Sequence, residues 1–146
     1  MKFTANQITN IYETLDKLAK ENLTLGTAIA IADNIESMST AYKIVSDKRM
    51  ACIQEYAKKD ENGDYIRDEN NPESVLINNP EEFNIKMIEM MNTEIDVDVK
   101  EFSLDGETGI TMTPIDILYL RPLLKKDKKE EPVVEKMDEQ DVEVID

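Results

Sequence analysis

The chain has 146 residues, with 32 Asp and Glu against 17 Lys and Arg, a formal net charge of -15. That length fits one domain. His and Trp are absent and Cys occurs once, which removes the usual zinc sites, every histidine-based triad and any internal disulfide framework.

No run approaches the roughly 20 apolar residues that span a bilayer, and the N-terminus lacks the basic and apolar regions of a secretory signal. A soluble, cytoplasmic protein is expected. Nucleic acid and anionic lipid are not expected as direct partners, because both need a positive patch. Basic protein surfaces, by contrast, are attracted over a Debye length of about 8 Å at physiological salt. Solubility alone is the plainer reading of such charge. The excess is uneven: residues 127–146 hold nine acids and three lysines, and residues 60–73 hold six acids and one arginine.

In chain order, Thr4 and Gln7 have the spacing of a capping box. Ile8, Ile11, Tyr12, Leu15, Leu18 and Ala19 follow at helical period, predicting a helix over about 4–21. A short connection, Asn22 to Gly26, leads to a second and much longer helical pattern, about 27–58. Its seam is Ala28, Ile31, Ile35, Met38, Tyr42, Val45, Cys52 and Tyr56, interrupted by Arg49. The two helices are expected to form an antiparallel hairpin. Its longer arm needs a further partner beyond Tyr42.

Residues 58–72 predict a loop or small exposed hairpin centred on Asn62-Gly63. Val75 to Ile77 is a brief apolar run with strand character. Pro80, Glu81 and Glu82 then open a third helix carrying Phe83, Met87, Ile88, Met90 and Met91, the expected partner for the distal seam. After Asn92 the period falls to 2, with Ile95, Val97 and Val99 alternating with Asp96, Asp98 and Lys100. A small antiparallel sheet is expected within 94–112, prolonged by Phe102 and Leu104 and returning through Ile110 and Met112. Thr113 and Pro114 cap a last short helix, whose Leu118, Tyr119, Leu120, Leu123 and Leu124 should close the core. The expected class is therefore α+β: one domain over 1–124 and an acidic, flexible tail over 125–146.

Four constellations invite a chemical reading. Asp60, Asn62 and Asp64 occupy offsets 1, 3 and 5 of a calcium loop, but Tyr65 stands where glycine is needed and Asn71 where a closing glutamate is needed. A solvated acidic turn explains them better. Asp96 and Asp98 share a strand face, yet alternation already places charges there, and no nucleophile or oxyanion site accompanies them. Cys52, near Lys48 and Arg49, reads as a packing residue of the seam. Met87, Met90 and Met91 read as core filling more readily than as an adaptable groove. No catalytic residue, metal or cofactor is expected. Arg49 must reach water or a carboxylate, and marks either the end of the hairpin or a docking point.

Three segments, KKDENGDYIRDENN, EEFNIKMIEMMNTEIDVDVKEFSLD and TPIDILYLRPLL, follow the helical hairpin. In that order they resemble a family of short uncharacterised proteins encoded by phages and prophages of Gram-positive bacteria. The resemblance spans about residues 8–124. It implies a viral origin and a host-cytoplasmic setting, and supplies no catalytic residues. The expectation is a non-catalytic interaction protein that occupies a basic surface of a nucleic-acid-handling or host-defence protein, with the acidic turn or the tail imitating phosphates. Asp60, Glu61, Asp64, Asp68, Glu69 and Arg49 are the candidate partner-binding residues. The alternative is a structural or assembly role in a virion or tail, through coiled-coil-like helix pairing and self-association.

Overall fold

A computed structural model describes residues 1–126; the greater part of the acidic tail expected over 125–146 lies outside the described residues. Helix α1, Ala5–Leu18, begins at the capping box read from the sequence. Thr4 Oγ1 accepts from the Gln7 N–H at 3.1 Å, and Gln7 Oε1 accepts from the Thr4 N–H at 2.8 Å. Its apolar stripe buries Ile8, Ile11, Leu15 and Leu18 against α2, Leu25–Tyr56. Tyr12 and Tyr42 stack across the hairpin with ring centroids 4.5 Å apart.

The face of α2 is broader than the seam read from sequence. Ile31, Met38 and Val45 are buried as expected, but so are Asn34 and Ala41, whereas Ala28, Ile35, Tyr42 and Cys52 are only half-buried. Asn34 has no accessible surface, and its amide is held from both ends. Nδ2 donates to the Lys100 carbonyl at 2.8 Å and Oδ1 accepts from the Lys100 N–H at 2.7 Å. The side chain thus acts as a one-residue strand partner and fastens segment 97–102 to the middle of α2.

Helix α3, Pro80–Met91, lies against α2. It buries no residue fully: Phe83, Met87, Met90 and Met91 are half-buried, and Ile88 is 61 % exposed.

The sheet is antiparallel and two-stranded, but its members are β1, Lys2–Thr4, and β2, Glu94–Asp96, with Phe3 opposite Ile95. Residues 110–112 do not return as a strand; β2 pairs with β1, and Ile110 and Met112 pack against the core from an irregular segment. The 97–104 segment instead runs across the core. Phe102 is buried and paired with the C-terminal segment: its N–H donates to the Leu123 carbonyl and its carbonyl accepts from the Lys125 N–H.

Helix α4, Pro114–Leu120, is capped by Thr113 and Asp116 in a second capping box, and a 3₁₀ turn, Arg121–Leu123, follows. Leu120 and Leu123 are completely buried, while Leu118 faces outward. The Asp116 side chain is only 8 % exposed and takes the Lys17 ammonium at 3.0 Å, tying α4 to α1. That bond, with the Thr113 contacts, holds the Asp116 carboxyl below the usual carboxylate range. Because its folded pKa is lower than the roughly 3.9 of an unfolded Asp, the group stabilises the fold above that value and stops doing so as pH falls through the folded pKa. Asp116→Asn is therefore expected to lower the urea midpoint at pH 7. It should also flatten the pH dependence of stability in the acid range; an unchanged slope would show that other carboxylates govern it.

Candidate partner-binding surface

The acidic segment between α2 and α3 is built on backbone pairing. Tyr56 ends α2 buried, and Ala57 turns the chain to an extended conformation. From there three short stretches meet in pairs through single antiparallel bridges, Ala57 with Ile77, Lys59 with Tyr65 and Arg67 with Val75. The bridges close a ring. The Lys58 N–H donates to the Leu76 carbonyl, the Leu76 N–H to the Ile66 carbonyl, and the Ile66 N–H to the Lys58 carbonyl, at 2.8, 2.9 and 3.0 Å. Both backbone groups of all three residues are thereby satisfied, so the ring has no free strand edge at these positions.

Two acidic turns link the three stretches. The first, 60–64, is a hairpin loop in which Gly63 adopts φ +84°, a conformation glycine reaches without a Cβ penalty. The second, 68–74, joins Arg67 to Val75. Lys59-Asp60-Glu61-Asn62 and Arg67-Asp68-Glu69-Asn70 are the same basic-acidic-acidic-amide motif eight residues apart, a repeat that the composition of the segment conceals. In each, the aspartate folds back on its own turn. Asp60 Oδ1 accepts from the N–H groups of Asn62 and Asp64 at 2.9 and 3.0 Å, and Asp68 Oδ1 accepts from that of Asn70 at 3.0 Å.

Five of the six candidate residues sit in these turns: Asp60, Glu61 and Asp64 in the first, Asp68 and Glu69 in the second. All but Asp68 are exposed, and Asp68 is half-buried. Arg49 does not join them. It lies half-buried on α2 and directs Nη2 to Met91 Sδ of α3 at 3.7 Å, with no carboxylate of the described residues in ion-pair contact. Among the described residues the ion pairs are those of the Met1 ammonium with Asp96, Lys17 with Asp116 and Lys100 with Asp33. None uses the nine acids of residues 55–82, which stand against three bases in that span.

Beside the ring is a hollow of about 500 Å³ lined by Met50, Ile53, Ala57, Val75, Ile77 and Phe83. Arg67 and Glu73 also reach it, and Tyr65, under the Lys59 ammonium at 5.5 Å, completes one side. The Tyr56 hydroxyl braces the base by donating to Glu82 Oε1 at 2.9 Å. That bond, burial and the carboxylate charge push the phenol up to about 12. Sequence periodicity misses the hollow because its residues come from α2, the ring and α3. Asp96 and Asp98 lie apart from all of this, exposed in and just after β2. Among the described residues, no three Asp, Glu, Cys or His side chains converge as a metal would require, and no helix is long and apolar enough to cross a membrane.

Comparison of the chain with protein-family models, with curated proteins and with solved structures finds no match.

Proposed function

We propose that this protein is a non-catalytic interaction protein whose two acidic turns occupy a basic surface on a nucleic-acid-handling or host-defence protein, in the manner of a phosphate backbone. The observation that carries the reading is the display of Asp60, Glu61, Asp64 and Glu69, exposed and without a cation among the described residues, on loops anchored by a closed ring of hydrogen bonds. Anchoring matters because it removes part of the ordering entropy that a loop would otherwise lose on binding. The two turns repeat one motif, so they offer a basic groove two similar anionic contacts. A partner in the bacterial cytoplasm is what the phage and prophage resemblance implies.

Capture from a Gram-positive host lysate at low and high salt tests this. Nucleic-acid-binding proteins that dissociate as salt rises support the reading, because exposed charge pairs are screened. Salt-insensitive retention of apolar partners alone contradicts it.

A second reading, self-association in an assembly, draws on the exposed apolar side chains of α3: Ile85 is 53 % exposed beside Ile88. Light scattering separates the two. A mass that rises with concentration favours assembly, and a constant monomer mass opposes it.

A further inference from the structure

We propose that the hollow beside the ring is the anchor site for the apolar face of a basic amphipathic helix from another protein. The inference rests on the reading above and adds to it the form of the partner. Three features lead there.

First, the floor is apolar and open to solvent: Met50 is 53 % and Tyr65 38 % exposed, while Ile53, Val75, Ile77 and Phe83 are half-buried. Side chains left this accessible at a concave site gain by being covered. Second, the backbone of the ring is closed at Lys58, Ile66 and Leu76, so an incoming strand finds no free pairing groups there. The apolar side chains of Met50, Ile53, Val75, Ile77 and Phe83 then offer the contact, as when a helix lays an apolar row into a groove. Third, the surroundings choose the charge of the occupant. At the hollow itself Arg67 and Glu73 offset one another and the Lys59 ammonium sits over Tyr65, and beyond them nine acids against three bases over residues 55–82 leave an excess that favours Lys and Arg flanking the anchors. The same arithmetic opposes the alternatives within this chain, since residues 127–146 carry nine acids and three lysines and a second copy brings a net charge of -15.

The probe is a synthetic leucine–lysine amphipathic helix of about five turns with one tryptophan on its apolar face. Because the protein has no Trp, the fluorescence belongs to the peptide alone. A blue shift on titration is expected, with amide resonance changes gathered in residues 50–83. Met50→Ser combined with Tyr65→Ser alters two exposed side chains and should weaken binding about tenfold or more, with an unchanged circular dichroism spectrum. Equal affinity for that variant, or resonance changes elsewhere, overturns the anchor site. So does equal affinity for a serine–lysine peptide of the same charge, which would leave the charge-based reading standing. If the leucine–lysine peptide binds equally well after neutralisation of Asp60, Glu61, Asp64 and Glu69, it is that reading which fails.

Discussion

Replacing Asn34 by leucine is expected to cost about 2–3 kcal/mol of folding stability, although leucine is apolar and of similar size. Asn34 supplies both a donor and an acceptor to the backbone of Lys100, 66 residues away, from a position with no accessible surface. Leucine fills the space and leaves the Lys100 N–H and carbonyl, both only partly accessible, without their protein partners. Urea denaturation should show a lower midpoint with an unchanged slope. Hydrogen exchange should localise the loss, with the Lys100 amide losing protection most. Asn34→Asp is a sharper control, because it keeps the acceptor for the N–H but sets a buried carboxylate against the carbonyl and should be worse than leucine. A leucine variant as stable as the parent would mean that segment 97–102 is held without Asn34, by Val97 and Phe102 packing, the Phe102 backbone bonds and the Lys100–Asp33 ion pair.

The second large effect concerns binding. Asp60→Asn, Glu61→Gln, Asp64→Asn and Glu69→Gln together should lower affinity for a basic partner about tenfold or more, mainly through slower association. The fold should be unaffected. The amide introduced in place of the Asp60 carboxylate still offers an Oδ1 to the N–H groups of residues 62 and 64, so the first turn keeps its hydrogen bonds. The ring itself depends on backbone groups alone. Surface plasmon resonance at two salt concentrations reads both the loss and its origin. The variant should lose most of the salt dependence along with the affinity; a parent-like salt slope would place the decisive charges elsewhere.

What the sequence makes legible is local. Thr4 with Gln7 and Thr113 with Pro114 and Asp116 announce helix starts, because a cap needs only three or four neighbouring residues. The hairpin of α1 and α2 follows from long runs of one period, and Gly63 marks the first acidic turn by chemistry that no other residue supplies as cheaply. Hidden features depend on distant partners. β1 has three residues, too few for a period, and pairs with β2 some 90 positions on, so alternation alone points to a return strand at 110–112. Asn34 reads as a polar interruption because its partner is backbone, which leaves no trace in residue type. The ring is hidden for a related reason: each stretch contributes single bridges, and single bridges impose no alternation. Arg49 illustrates the reverse case. Its isolation in the seam is visible, but its contact with Met91 depends on how α3 lies against α2.

The acidic turns are legible as composition, and the structure adds their attachment. Charge without attachment would make a solubilising segment. Here the carboxylates project from loops held by a closed ring, next to an apolar hollow, and the proposed contact rests on that arrangement.

Displacement of DNA from the partner shows whether the acidic turns occupy its phosphate-binding surface. A fluorescently labelled duplex bound to the captured partner is titrated with this protein, and anisotropy is followed. If the acidic turns occupy the partner's phosphate-binding surface, anisotropy falls to the value of free duplex as the protein saturates, and the fourfold neutral variant fails to displace it at the same concentration. A rise in anisotropy, signifying a ternary complex with DNA still in place, would contradict the account.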